Sequence, residues 1–176
     1  SGLLRTKGFI SVGHDEYWTL QMYENVLKAR DEGVNLAFLS ANSVLCVVPL
    51  LPSGNGAPNR TIQRVGWFMP SEYGRTVEIR LLNKQGFKPT MGPDGAQLMG
   101  ARTTDGVRGA GDWTCAMPEH WLFEGTGMKK GDSVKGLVGW EWHGAPALDL
   151  PEMNVVAEGD AFVQGKKMGR YTATIY

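Results

Sequence analysis

His14, Asp15, Glu16 and Tyr17 stand side by side in Gly13-His14-Asp15-Glu16-Tyr17-Trp18. An imidazole, two carboxylates and a phenol in four consecutive residues can move protons or hold a metal. Phenolate and carboxylate oxygens are hard donors suited to ferric iron, and imidazole suits zinc, iron or copper. The same residues also suit a helix start, where acidic side chains meet the positive end of the helix dipole. On that reading Tyr17 and Trp18 simply pack in the core, and spacing alone does not choose between the two. Glu141 is the second candidate, between two indoles in Val138-Gly139-Trp140-Glu141-Trp142. A carboxylate in an aromatic strand is costly unless paired, protonated or metal-bound. Strand alternation puts Trp140 and Trp142 on one face and Glu141 on the other. If that other face meets solvent, Glu141 is merely polar and outward.

Other polar groups carry less. Glu119, His120 and Glu124 surround Trp121-Leu122-Phe123. They read as a His/Glu pair for proton transfer or, more commonly, as a solvated loop with an aromatic anchor. His143 beside Gly144 suits a turn. Arg102 can clamp a carboxylate, though structural pairing is the commoner use. The sequence contains no Gly-x-Ser-x-Gly, phosphate loop or dinucleotide fingerprint.

The first cluster needs a strand before it and a helix after it. Residues 8–13 read as a short buried strand, and Leu20 to Glu32 as a helix with Thr19 as its N-cap. Met22, Tyr23, Val26, Leu27 and Ala29 recur on one face, and Gly33 suits the left-handed position past the helix end. Val34 to Leu39 is a second apolar strand, so the stretch is a βαβ unit with parallel strands. Ligands of open α/β sheets sit at such carboxyl ends of strands. Beyond it, Val44 to Leu51 is apolar, 52–59 a loop, Arg60 to Met69 a possible strand, and Ser71 to Leu82 a short helix or strand. Residues 83–112 read as loop, and 145–160 as loop or short irregular pieces. Thr126 to Gly131 is a turn, Leu137 to Trp142 a strand closed by His143-Gly144, and 170–176 an alternating strand.

The 176 residues suit one domain, 1–176, with 42% hydrophobic and 20% charged residues. Lys+Arg and Asp+Glu both number 18, giving no net charge and no basic face for nucleic acid. The longest apolar run, Val44 to Leu51, is too short to span a bilayer. Cys46 and Cys115 lack metal or redox spacing and read as reduced, small apolar residues, although a disulfide is a second option. The start, Ser-Gly-Leu-Leu-Arg-Thr-Lys, shows no signal-peptide core and does not look native; the cytoplasm is the favoured compartment. The chain supplies fewer βα units than a doubly wound sheet needs. It reads as a fragment of a longer protein, with part of the sheet missing or supplied by another segment, or as one member of an oligomer.

Residues Ser11 to Thr19 and Gly33 to Asn42 resemble the carboxyl-terminal domain of the large (beta) subunit of N,N-dimethylformamidase and its relatives. His120 to Gly127, Gly131-Asp132 and Gly136 to Trp142 are similar to the same family in the same order. The resemblance implies an α/β fold with a glutamine-amidotransferase-like, flavodoxin-like parallel sheet and an elaborated second half. It implies hydrolysis of a small formamide-type amide at a mononuclear iron held by two tyrosines and a glutamate. Tyr17 matches the first tyrosine and Glu141 the glutamate, with His14 and Glu16, and with them Asp15, as supporting or proton-moving groups. The second tyrosine is expected in a strand after Ser40-Ala41-Asn42, where this chain has Arg60 to Trp67 and no tyrosine. Tyr73 is the nearest, and tryptophan offers a metal no lone pair. The site therefore recruits Tyr73 or His14, binds iron differently, or has lost it. A metal-free hydrolase using Glu and His, and a scaffold or carbohydrate-binding module using the six tryptophans, are the alternatives.

Overall fold

The structure, a computed structural model, describes residues 2–69, 89–103, 108–147 and 149–176. The segment expected to form a helix or strand at Ser71 to Leu82, with Tyr73, lies outside the described residues. The chain divides into two compact units, Ser1–Leu98 and Met99–Tyr176.

The first unit begins with a 3-10 turn, Gly2–Arg5, and β1, Gly8–Ser11. A two-residue strand β2, Tyr17–Trp18, precedes helix α1, Leu20–Asp31, and then β3, Asn35–Phe38. β1 and β3 are parallel, with Phe9 opposite Leu36 and Ser11 opposite Phe38, so the expected βαβ unit is present. The Thr19 hydroxyl accepts from the Met22 N–H at 3.0 Å, satisfying a donor that a helix start otherwise leaves unpaired. At the other end Gly33 N–H reaches the Arg30 carbonyl and Val34 N–H the Ala29 carbonyl, both at 2.9 Å. Gly33 has φ 87°, which only glycine adopts cheaply. Tyr23, Val26 and Ala29 are buried, whereas Met22 stays exposed. Tyr23 stacks on Phe68 at 5.1 Å and donates to the Asp94 carbonyl at 3.0 Å.

After β3 the chain turns through Asn42 and Val44, both left-handed at φ 55° and 51°. It then returns as β4, Cys46–Val47, and β5, Leu50–Leu51. β6, Thr61–Ile62, pairs antiparallel with β5 and closes the expected 52–59 loop. β7, Gly66–Trp67, and β8, Thr90–Met91, complete a sheet of order β2-β4-β7-β8. Its pairings are parallel, antiparallel and parallel. The fold is thus mixed α/β, built among the described residues from small sheets and few helices. In place of a continuous parallel sheet, the parallel pairs are β1–β3, β2–β4 and β7–β8. A one-turn helix α2, Ala96–Met99, leads on.

The second unit pairs β9, Ala101–Thr103, with β12, His143–Pro146, antiparallel. Its larger sheet runs β11-β10-β13-β14. These strands are β10, Gly109–Thr114, β11, Ser133–Trp140, β13, Asn154–Val163, and β14, Lys166–Ile175. All neighbours in this sheet are antiparallel. Gln164 and Gly165, at φ 50° and 77°, form the two-residue turn that suits a twisted hairpin. Two expectations are corrected here: 83–112 and 145–160 are not simply loop, since β8, β9, β10, β12 and β13 fall within them. Two of their glycines serve packing rather than turns. A Cβ on Gly109 would meet the Trp142 ring at 2.2 Å, and one on Gly159 the Tyr171 ring at 2.7 Å.

Trp142, Ala161 and Tyr171 form one apolar cluster, and Cys115, Phe123 and Val156 another. The buried Tyr171 hydroxyl accepts from the Thr114 N–H at 2.7 Å and donates to the Asp112 carbonyl. It thereby bridges the bulge where the β10–β11 register shifts between Gly111 and Trp113. Tyr171→Phe is expected to leave two backbone groups without this partner and to cost about 1–3 kcal/mol. An unfolding midpoint in urea equal to that of the parent would refute it.

Candidate functional site

The first unit gathers most of the chemistry. The Ser11 hydroxyl, at the end of β1, donates to the Asp15 carboxylate at 2.7 Å. The Trp18 indole N–H donates to the Asp15 carbonyl at 3.1 Å. Asp15 is thus committed to holding the loop between β1 and β2. Backbone bonds lock that loop onto the returning chain: Val44 N–H reaches the Asp15 carbonyl at 2.9 Å and Cys46 N–H the Glu16 carbonyl at 2.8 Å.

Glu16 is the hub. One carboxylate oxygen lies 3.1 Å from His14 Nε2, and the other accepts from the Cys46 thiol at 3.5 Å. Tyr17 stands close enough to this carboxylate to feel its charge. Parallel pairing sets Tyr17 opposite Cys46, and antiparallel pairing sets Cys46 opposite Trp67. Tyr17 is half-exposed, at 44%, while Cys46 and Trp67 are buried. The Tyr17 phenol is held above its usual range, first by desolvation and then by the nearby Glu16 charge, with Arg64 opposing. Burial, assisted by Glu16, pushes the Cys46 thiol up to about 12. Cys46 is therefore a neutral donor at ordinary pH, and the cluster can hold or pass a proton between phenol, carboxylate and imidazole.

Sequence reading did not assign Cys46 or Arg64 to this cluster. Cys46 looked like a small core residue, and a two-residue strand pairing leaves no periodic signal. Trp67 packs with Leu45, Cys46 and Met69. The strand expected to carry a second tyrosine therefore presents a buried indole.

Glu141 belongs to the second unit, as does the expected strand around it. β11 ends at Trp140, so Glu141 lies past its end rather than within it. Trp140 is 59% exposed and Trp142 3%, which corrects the expectation that they share a face. The reason is the left-handed backbone at Trp140, φ 51°, which breaks strand alternation. His143 opens β12 instead of closing a turn. Its Nε2 is buried with no hydrogen-bond partner among the described residues, and burial lowers its pKa from 6.5 to about 4. His120 caps the 3-10 turn Trp121–Phe123 by accepting from the Leu122 N–H at 3.3 Å. Arg102 donates to the Ala147 carbonyl at 3.5 Å.

The His143 shift predicts a pH dependence. A lowered folded-state pKa means that the unfolded chain takes up the proton first. Stability is full above about pH 6.5, falls as pH drops toward about 4, and levels below that. The loss is at most about 3 kcal/mol. Melting curves at pH 7 and 4.5 should show His143→Gln losing less than the parent; equal losses would discard the assignment.

Among the described residues no group of three or more His, Cys, Asp or Glu side chains gathers as a metal site. No helix in them is long and apolar enough to cross a membrane. The fold is mixed α/β, with the His14–Glu16 pair and Tyr17 between β1 and α1 in the first unit and the Gly-Trp-Glu turn past β11 in the second. The chain belongs to the N,N-dimethylformamidase beta subunit-like, C-terminal family, which matches residues 1–176. No curated protein and no solved structure matches it.

Proposed function

We propose that this chain is part of a metal-dependent amide hydrolase resembling N,N-dimethylformamidase, acting on a small formamide-type C–N bond. The observation that carries the reading is the half-exposed Tyr17 phenol, opposite Cys46 on paired strand ends and beside the Glu16 carboxylate, in a chain of this family. Tyr17 and Glu141 are the ligands this reading assigns, since phenolate and carboxylate oxygens suit a hard cation such as ferric iron. When bound, iron supplies a Lewis acid for the amide carbonyl and a water of lowered pKa. The Glu16 carboxylate stands beside Tyr17, and His14, 52% exposed at its side chain and 3.1 Å from Glu16, would support the ligand or help to move protons. The β1-α1-β3 unit is the piece of a glutamine-amidotransferase-like sheet that carries this cluster, completed by further chain or by another subunit.

The test is metal analysis together with a visible spectrum. Stoichiometric iron with a phenolate band in the visible supports the reading; a folded, colourless and metal-free protein overturns it. A specific observation favours a second reading, in which the domain kept the fold and lost the iron. Trp67 is buried beside Cys46, on the strand where a second oxygen donor is expected. A colourless protein without amide hydrolysis would select this reading.

A further inference from the structure

β11 does not fade out at its end; it is bent there. The Glu141 N–H donates to the Gly139 carbonyl at 2.6 Å across Trp140, and Trp140 sits at φ 51°. An i to i+2 bond around a residue of positive φ has the form of the rare, strained γ-turn. A bulky aromatic residue is among the least suited to it. The ring gains little that would offset this strain, being 59% exposed. Arg108 stacks its guanidinium over that ring at 5.8 Å, and Trp140 pairs with Gly109 across the sheet. Backbone strain held by its surroundings concentrates at functional positions. The strain here falls immediately before Glu141.

We infer that Trp140 is a positioning residue for Glu141: its left-handed turn swings the Glu141 carboxylate out of strand alternation into the direction its role requires. Trp140 itself touches no reacting atom. Glu141's role as an iron ligand rests on the proposed metallohydrolase reading, whereas the aiming of its side chain does not. Glycine, and to a lesser degree asparagine, accept this backbone; valine resists it.

The experiment compares Trp140→Gly, Trp140→Asn and Trp140→Val in three ways. First, valine should melt several degrees below glycine, because it alone must bear the turn. Second, the side-chain carbon and proton resonances of Glu141 should stay near the parent's with glycine and asparagine and move with valine. Third, iron uptake and hydrolysis of N,N-dimethylformamide should stay within about threefold of the parent with glycine and asparagine and fall at least about tenfold with valine, the scale of a small misplacement. Glycine and valine variants that agree in all three readings overturn the inference. So does a valine variant that melts lower with the Glu141 resonances unmoved, since Trp140 would then be structural only. A parent that takes up no iron and hydrolyses nothing fails the metal reading alone, and the first two measurements still decide the role of Trp140.

Discussion

On the proposed iron reading, a Tyr17→Phe protein is expected to keep its fold and to lose visible colour and amide hydrolysis. The change removes one oxygen and nothing else. Tyr17 is 44% exposed, so no core contact goes with it, and only its electrostatic coupling to Glu16 is lost. Glu16 keeps His14 and Cys46 as partners, so no buried carboxylate is orphaned and the melting point should move little. Removal of a group that merely orients a metal ligand typically costs 10–100-fold in affinity or activity, and loss of a ligand should cost at least about a hundredfold. Unchanged hydrolysis in the variant would remove iron from the account and point to His14 and Glu16 acting without metal.

The neighbouring residue should respond in the opposite way. Trp18 is 1% exposed. Its ring meets Phe9 edge-on at 6.0 Å and Phe38 at 6.2 Å, and its indole N–H holds the Asp15 carbonyl at 3.1 Å. Trp18→Ala would open a large cavity between β1, β2 and β3 and free the loop that carries His14 and Glu16. Truncating a buried aromatic side chain costs about 3–5 kcal/mol, a fall of roughly 10 °C in Tm for a chain of this size. Calorimetry checks it, and a shift of only a degree or two would mean that this aromatic cluster is not the core of the first unit. Two adjacent residues on one strand thus separate by face: one is expected to govern activity, the other stability.

The sequence was most readable where local chemistry is strong. Thr19, Gly33 and the apolar face of α1 mark that helix, and the flanking apolar runs imply the parallel β1–β3 pair. The second half was less legible because Gly109, Gly111 and Gly159 resemble loop residues. In the structure, rings or backbone fill the space their side chains would take. At the candidate site His14, Glu16 and Tyr17 were legible as neighbours, but Cys46 entered only through a two-residue pairing. Glu141 was legible as a residue in need of explanation. Its true setting was not, because left-handed backbone at a tryptophan has no sequence signal.

β11 lies at the end of its four-stranded sheet, and Val134, Leu137 and Trp140 along it are exposed. A flat apolar edge of that kind would template the addition of another chain. This edge is neither flat nor continuous. Gly136 is left-handed at φ 67° and its N–H is taken by the Asp112 carboxylate at 2.9 Å. The facing bulge at 111–113 adds local twist, Lys135 adds a charge, and the turn at Trp140 ends the run. The irregularities that made this strand hard to foresee also blunt it against self-association, so the fold can leave three large apolar side chains in water without inviting fibril growth.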